Sequence, residues 1–113
     1  MDQVFGVEVH DEDGLLRVAV RGEVDMATAP QLRESLYDAV DRSAGPVIVD
    51  LLAVTFIDST ALGVLIGALE RSKARDAELR VVLNEARLVK IFEITGLTEL
   101  FPLFPSIAEA VAR

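Results

Sequence analysis

The 113-residue chain has no cysteine and no tryptophan, and only one histidine, one tyrosine and four prolines. The missing cysteine excludes a disulfide scaffold, a thiolate zinc site and a cysteine nucleophile. With His10 the lone histidine, set in a turn-like stretch, no base and orienting acid stand ready for a serine nucleophile, so a hydrolase triad is excluded too. Positive charge is scarce: 11 Lys and Arg against 19 Asp and Glu leave a net charge of −8, which repels phosphate-rich partners and argues against nucleic acid binding. No apolar run reaches the roughly 18 residues of a membrane span. Residues 1–9 lack the basic-then-apolar pattern of a leader. These absences point to a cytoplasmic chain with no membrane insertion, no metal and no cofactor.

Apolar residues make up 51% of the chain and charged residues 27%, the balance of a globular domain with one substantial core, and residues 1–113 read as a single domain. Apolar residues alternate at Phe5, Val7 and Val9 and again at Leu16, Val18 and Val20, on either side of the turn-like His10-Asp11-Glu12-Asp13-Gly14; this predicts an antiparallel hairpin. Thr28-Ala29-Pro30-Gln31 fits a capping box, and Leu32, Leu36, Ala39 and Val40 follow at helical spacing up to the Ser43-Ala44-Gly45-Pro46 break. Residues 46–52 are almost continuously apolar, as in a strand covered on both faces. A helix is predicted from about Ser59, turning polar after Glu70, then a strand over 79–83 with Arg80 its one polar position. Asn84 is expected to cap a third helix that shows Leu88, Ile91, Phe92 and Thr95 on one face and ends at Gly96. Residues 100–105 read as an edge strand or packed loop, and Ser106 to Glu109 as the capping box of a short last helix. The fold class is therefore α/β, with a mixed four- to five-stranded sheet, an N-terminal β-hairpin and helices packed against it.

Within VTFIDSTALGVLIGAL, residues 54–69, Asp58, Ser59 and Thr60 separate two apolar runs. By residue type they are a helix cap, since their oxygens accept the orphan N–H bonds of a first turn. Leu62, Leu65, Ile66 and Leu69 supply a complete core-facing stripe. That leaves Ala61, Val64 and Ala68 on an adjoining face, with Gly63 and Gly67 one turn apart, each costing a helix about 1 kcal/mol relative to alanine. Small residues there permit close approach, either by a neighbouring helix of the same chain or by a partner. A phosphate on Ser59 would add roughly −1.5 to −2 charge where the helix dipole tolerates it and an apolar or acidic partner does not. On the partner-face reading, a charge at Val64 is expected to weaken binding and spare the fold.

Other chemistries fit less well. A receiver domain would use Asp58 as phosphoacceptor, but the hairpin replaces its first strand-to-helix unit, and Lys73 and Lys90 fall in predicted helices. Asp11, Glu12 and Asp13 lack the spacing of a calcium loop. Gly63-x-x-x-Gly67 is not followed by Lys-Ser or Lys-Thr, so it is no phosphate-binding loop.

Gly22-Glu23-Val24-Asp25 with Thr28-Ala29-Pro30, Val49-Asp50-Leu51, Phe56-Ile57-Asp58-Ser59-Thr60 followed by Leu62-Gly63-Val64-Leu65, Ile94-Thr95-Gly96-Leu97 and Leu100-Phe101-Pro102 occur in that order. The series resembles the STAS-domain anti-sigma factor antagonists nearly end to end. The resemblance implies partner switching: binding to an anti-sigma factor with serine kinase activity, release of the sigma factor, phosphorylation of Ser59 (Thr60 being the second choice), and reversal by a metal-dependent serine phosphatase. It implies a partner-binding surface of Asp25, Asp58, Thr60, Ala61, Gly63, Val64 and Gly67. Many members carry glycine where this chain has Ala61. STAS modules also serve as subunits of lipid-transport or signalling assemblies without phosphorylation, which is the alternative within the same fold.

Overall fold

In the computed structural model, which describes residues 4–112, the hairpin forms from β1 (Gly6–Glu12) and β2 (Leu15–Val24). The strands pair antiparallel out to Glu12 opposite Leu15, so the turn shrinks to Asp13 and Gly14, both at positive φ. This two-residue form matches the twist of the strands it joins. The predicted five-residue turn is thus mostly strand.

The chain then crosses over through helix α1 (Ala29–Arg42) to β3 (Val47–Ile57), through α2 (Ser59–Ala74) to β4 (Leu79–Val82), and through α3 (Ala86–Ile94) and a one-turn 3₁₀ helix to β5 (Leu103–Phe104), ending in α4 (Ile107–Ala112). The sheet order is β1-β2-β3-β4-β5, with all pairs after the hairpin parallel. Helices α1, α2 and α3 bury Leu32, Leu36, Leu65, Leu69, Leu88 and Phe92 in one core on one face of the sheet. On the other face α4 covers only a small separate cluster of Ile48, Val82, Phe104 and Ala110.

Strand β3 runs five residues beyond the predicted Leu52 because its phase changes. Its core-facing residues are Val47, Val49, Leu51, Val54 and Ile57, spaced by two and then by three. Two register shifts against β2 account for this, between the pairs Ala19–Asp50 and Arg21–Ala53 and between Gly22–Val54 and Glu23–Phe56. Each gives β3 an extra residue, a bulge that re-aims the strand. Val54 and Ile57 stay in the core, while Leu52 and Phe56 are left exposed. Gly22 sits at the second shift with φ of 88°, where a Cβ would lie 2.9 Å from the Phe5 Cα, so both its backbone angle and the close approach of the segment just before β1 require glycine.

Two of the predicted caps are not made as expected. The Thr28 side chain makes no cap bond to α1. Glu85, not Asn84, caps α3 by accepting from the Arg87 N–H, and the Asn84 amide instead donates to the Pro105 carbonyl. The Ser106 box is present, with Glu109 N–H donating to Ser106 Oγ at 3.2 Å. Gly96 takes the left-handed position after α3 as expected.

Candidate functional site

Asp58 leaves β3 in an extended conformation, and its Oδ1 accepts the Ala61 N–H at 3.0 Å while its carbonyl accepts from Leu62. The side chain thus satisfies one orphan donor of the first turn of α2, and the carbonyl accepts the first regular helical bond. Because Asp58 takes the cap, Ser59 and Thr60 fall on the first two helical positions with nothing to hold. Both are exposed, and neither hydroxyl has a hydrogen-bond partner among the described residues. Some hydroxyls elsewhere are engaged, Ser72 donating to Leu69 and Thr95 to Ile91.

Behind these hydroxyls the adjoining face of α2 is not a surface. Ala61 and Ala68 are fully buried and Val64 is 8% exposed, all within the main core. Ala61 and Val64 therefore do not stand on an exposed partner face, and the expectation that a charge at Val64 would spare the fold is corrected. The physical reason is that α2 is covered on two sides, by the sheet and by α1, so its apolar arc is wider than one stripe. The methyl group of Ala61 points inward and leaves the approach to Ser59 as open as glycine would.

The two glycines separate. A Cβ on Gly67 would fall on the Tyr37 Oη, so this glycine serves the packing of α1 on α2. Tyr37 is fixed there by Arg33 and Arg71, whose guanidinium carbons lie 4.8 and 5.0 Å from its ring centroid, and Arg71 is held by Asp41 at 2.6 Å. Gly63 is exposed, and a Cβ there would meet nothing within 4 Å. No neighbour among the described residues requires a glycine at this position.

The loop between β2 and α1 adjoins this helix end, with the Asp58 N–H donating to the Val24 carbonyl at 3.2 Å. Asp25 Oδ1 accepts from the Ala27 and Thr28 N–H groups at 2.9 and 3.2 Å. Thr28 Oγ1 donates to the Glu23 carbonyl at 3.0 Å and accepts the Asp25 N–H at 2.9 Å. Asp25 is thus a builder of the loop. What the loop displays is Met26, 75% exposed, a residue the sequence reading passed over because a lone methionine in a loop carries no periodicity.

Among the described residues, no group of three His, Asp or Glu could hold a metal ion, and no helix is long and apolar enough to cross a membrane. A five-stranded mixed sheet with helices packed on it and a hydroxyl-bearing helix terminus at the end of its long third strand defines a small α/β domain. The STAS domain model matches residues 6–110, and the chain belongs to that family, among the anti-sigma factor antagonists. It is 35% identical over 100 residues to the anti-sigma-B factor antagonist of Listeria monocytogenes, covering 88% of each chain. It is 35% identical over 96 residues to that of Staphylococcus aureus, covering 85% of this chain and 89% of the other. The crystal structure of an anti-sigma factor antagonist from Mycobacterium paratuberculosis superposes with a TM-score of 0.89 at 32% identity, covering 96% of this chain and 92% of that one.

Proposed function

We propose that the chain is an antagonist that, unmodified, binds an anti-sigma factor with serine kinase activity and so releases its sigma factor, and that phosphorylation of Ser59 switches binding off. A metal-dependent serine phosphatase restores the binding form. The observation that carries this reading is the pairing of an exposed, unengaged Ser59 hydroxyl with the exposed Gly63 one turn behind it. Gly63 weakens the helix by about 1 kcal/mol and relieves no clash among the described residues, which fits a surface that another backbone must approach closely. Asp58, Thr60 and Gly63 line this surface, with Thr60 the second acceptor. A phosphate on Ser59 suits the helix dipole and leaves the fold intact, while its charge must be desolvated when a partner docks.

The test incubates the protein with purified kinase-type anti-sigma factors from the same organism and ATP, maps phosphate by mass spectrometry, and measures binding of wild type, Ser59→Ala and Ser59→Asp. Phosphate at Ser59 and loss of binding in Ser59→Asp alone are expected. Absence of phosphate together with equal binding by all three would overturn the switch.

A further inference from the structure

We propose that Met26 is the apolar anchor by which this chain docks its partner, and that Asp25 and Thr28 act through it as positioning residues. The inference rests on the reading of the Ser59 surface as a protein-docking site. An unbranched side chain 75% exposed would ordinarily sit on a mobile loop and lose much conformational freedom on binding. Here the backbone under it is already set. The Thr28 and Ala29 N–H groups donate to the Asp25 carbonyl at 3.1 and 2.7 Å, the Asp25 carboxylate holds Ala27 and Thr28, and the Thr28 hydroxyl ties both Glu23 and Asp25. Few degrees of freedom remain beyond the thioether itself, which adapts to an irregular recess.

Two observations say what the recess belongs to. The loop is joined to the Ser59 helix through the Asp58 N–H to Val24 carbonyl bond, so a partner seated on Ser59 and Gly63 meets Met26 in the same approach. From Gly22 to Thr28 and from Asp58 to Gly63 the charged residues are Glu23, Asp25 and Asp58, and all three are acidic. The matching surface is therefore an apolar pocket rimmed by Lys or Arg, carried by the anti-sigma factor. The same geometry reassigns Asp25: its carboxylate shapes the loop, and its influence on binding passes through the residue it presents.

The experiment uses the full chain and the kinase-type anti-sigma factor that wild type binds. Titration calorimetry compares wild type, Met26→Ser, Met26→Leu, Thr28→Val, Thr28→Ser and the double variant Met26→Ser/Thr28→Val, each with its fold checked by circular dichroism. Met26→Ser is expected to weaken binding about 30-fold, the effect of losing one anchor residue, while Met26→Leu stays within about 3-fold. Thr28→Val weakens binding in the wild-type background, Thr28→Ser restores it, and Thr28→Val adds nothing once Met26 is gone, because a positioning residue has then nothing to position. Equal binding by wild type and Met26→Ser overturns the anchor alone. Full additivity of the double variant overturns the positioning role. Failure of wild type to bind any such anti-sigma factor overturns the proposed function, and the anchor with it.

Discussion

Two residues one position apart on α2 give opposite expectations. Gly63 is exposed with open space around its Cα, so Gly63→Ala should stabilise the fold by about 1 kcal/mol, the difference in helix propensity. The substitution also places a methyl group on the proposed docking surface, and Gly63→Gln, likewise a better helix former than glycine, should weaken partner binding while raising the unfolding midpoint slightly. Val64 is buried in the main core, and Val64→Asp must place a carboxylate among apolar side chains. Its cost of about 3 to 5 kcal/mol would consume much of a small domain's stability. Urea unfolding of the three variants, read beside binding, checks both. A Val64→Asp variant as stable as wild type would restore the exposed-face reading of α2 that its burial removes.

At the scale of elements, α1 and α2 are fitted by a local exchange of bulk: Tyr37 fills the room left by Gly67. The ring is clamped between Arg33 and Arg71, so it cannot easily swing aside for a methyl group. Gly67→Ala should therefore be less favourable in the wild type than in Tyr37→Phe, where the hydroxyl is gone, by about 1 kcal/mol or more in a double-mutant cycle of unfolding free energies. That pairing shows why some of the site was beyond the reach of the sequence. Apolar periodicity located α1 to α3, the hairpin and the buried start of β3, and residue type alone placed Asp58 as a cap with Ser59 and Thr60 beside it. Periodicity along one helix does not say how many neighbours cover it, so Ala61, Val64 and Gly67 read as surface until α1 was seen to occupy that side. Strict alternation likewise ends at Leu51, because the two bulges of β3 change the spacing of core residues from two to three. Met26 left no pattern at all, since its exposure is made by the Asp25 and Thr28 hydrogen bonds rather than by any repeat.

At the scale of the whole molecule, a net charge of −8 sets two opposing responses to acid. Protonating carboxylates relieves self-repulsion, yet three of them are anchored by arginines that favour their charged form. The hydrogen-bonded guanidinium of Arg17 holds Glu12 below its ordinary value of 4.5, Arg71 does the same to Asp41 below 3.8, and the Arg87 backbone N–H is the main cause for Glu85. For a carboxylate whose folded-state pKa is depressed, the stabilisation is fully present above the unfolded-state value and disappears as pH falls through the folded one. All three pairs are solvent-exposed, so screening makes each contribution small. The melting temperature should accordingly hold steady from pH 7 to about 5 and fall only below about 4. Asp41→Asn, which cannot titrate, should flatten part of that acid limb while leaving the shape of the curve between pH 5 and 7 unchanged. Melting curves at low salt across this range test it: an acid limb identical in Asp41→Asn and wild type would show that the Asp41–Arg71 pair is silent in stability, leaving Arg71 to act through its stacking on Tyr37 alone.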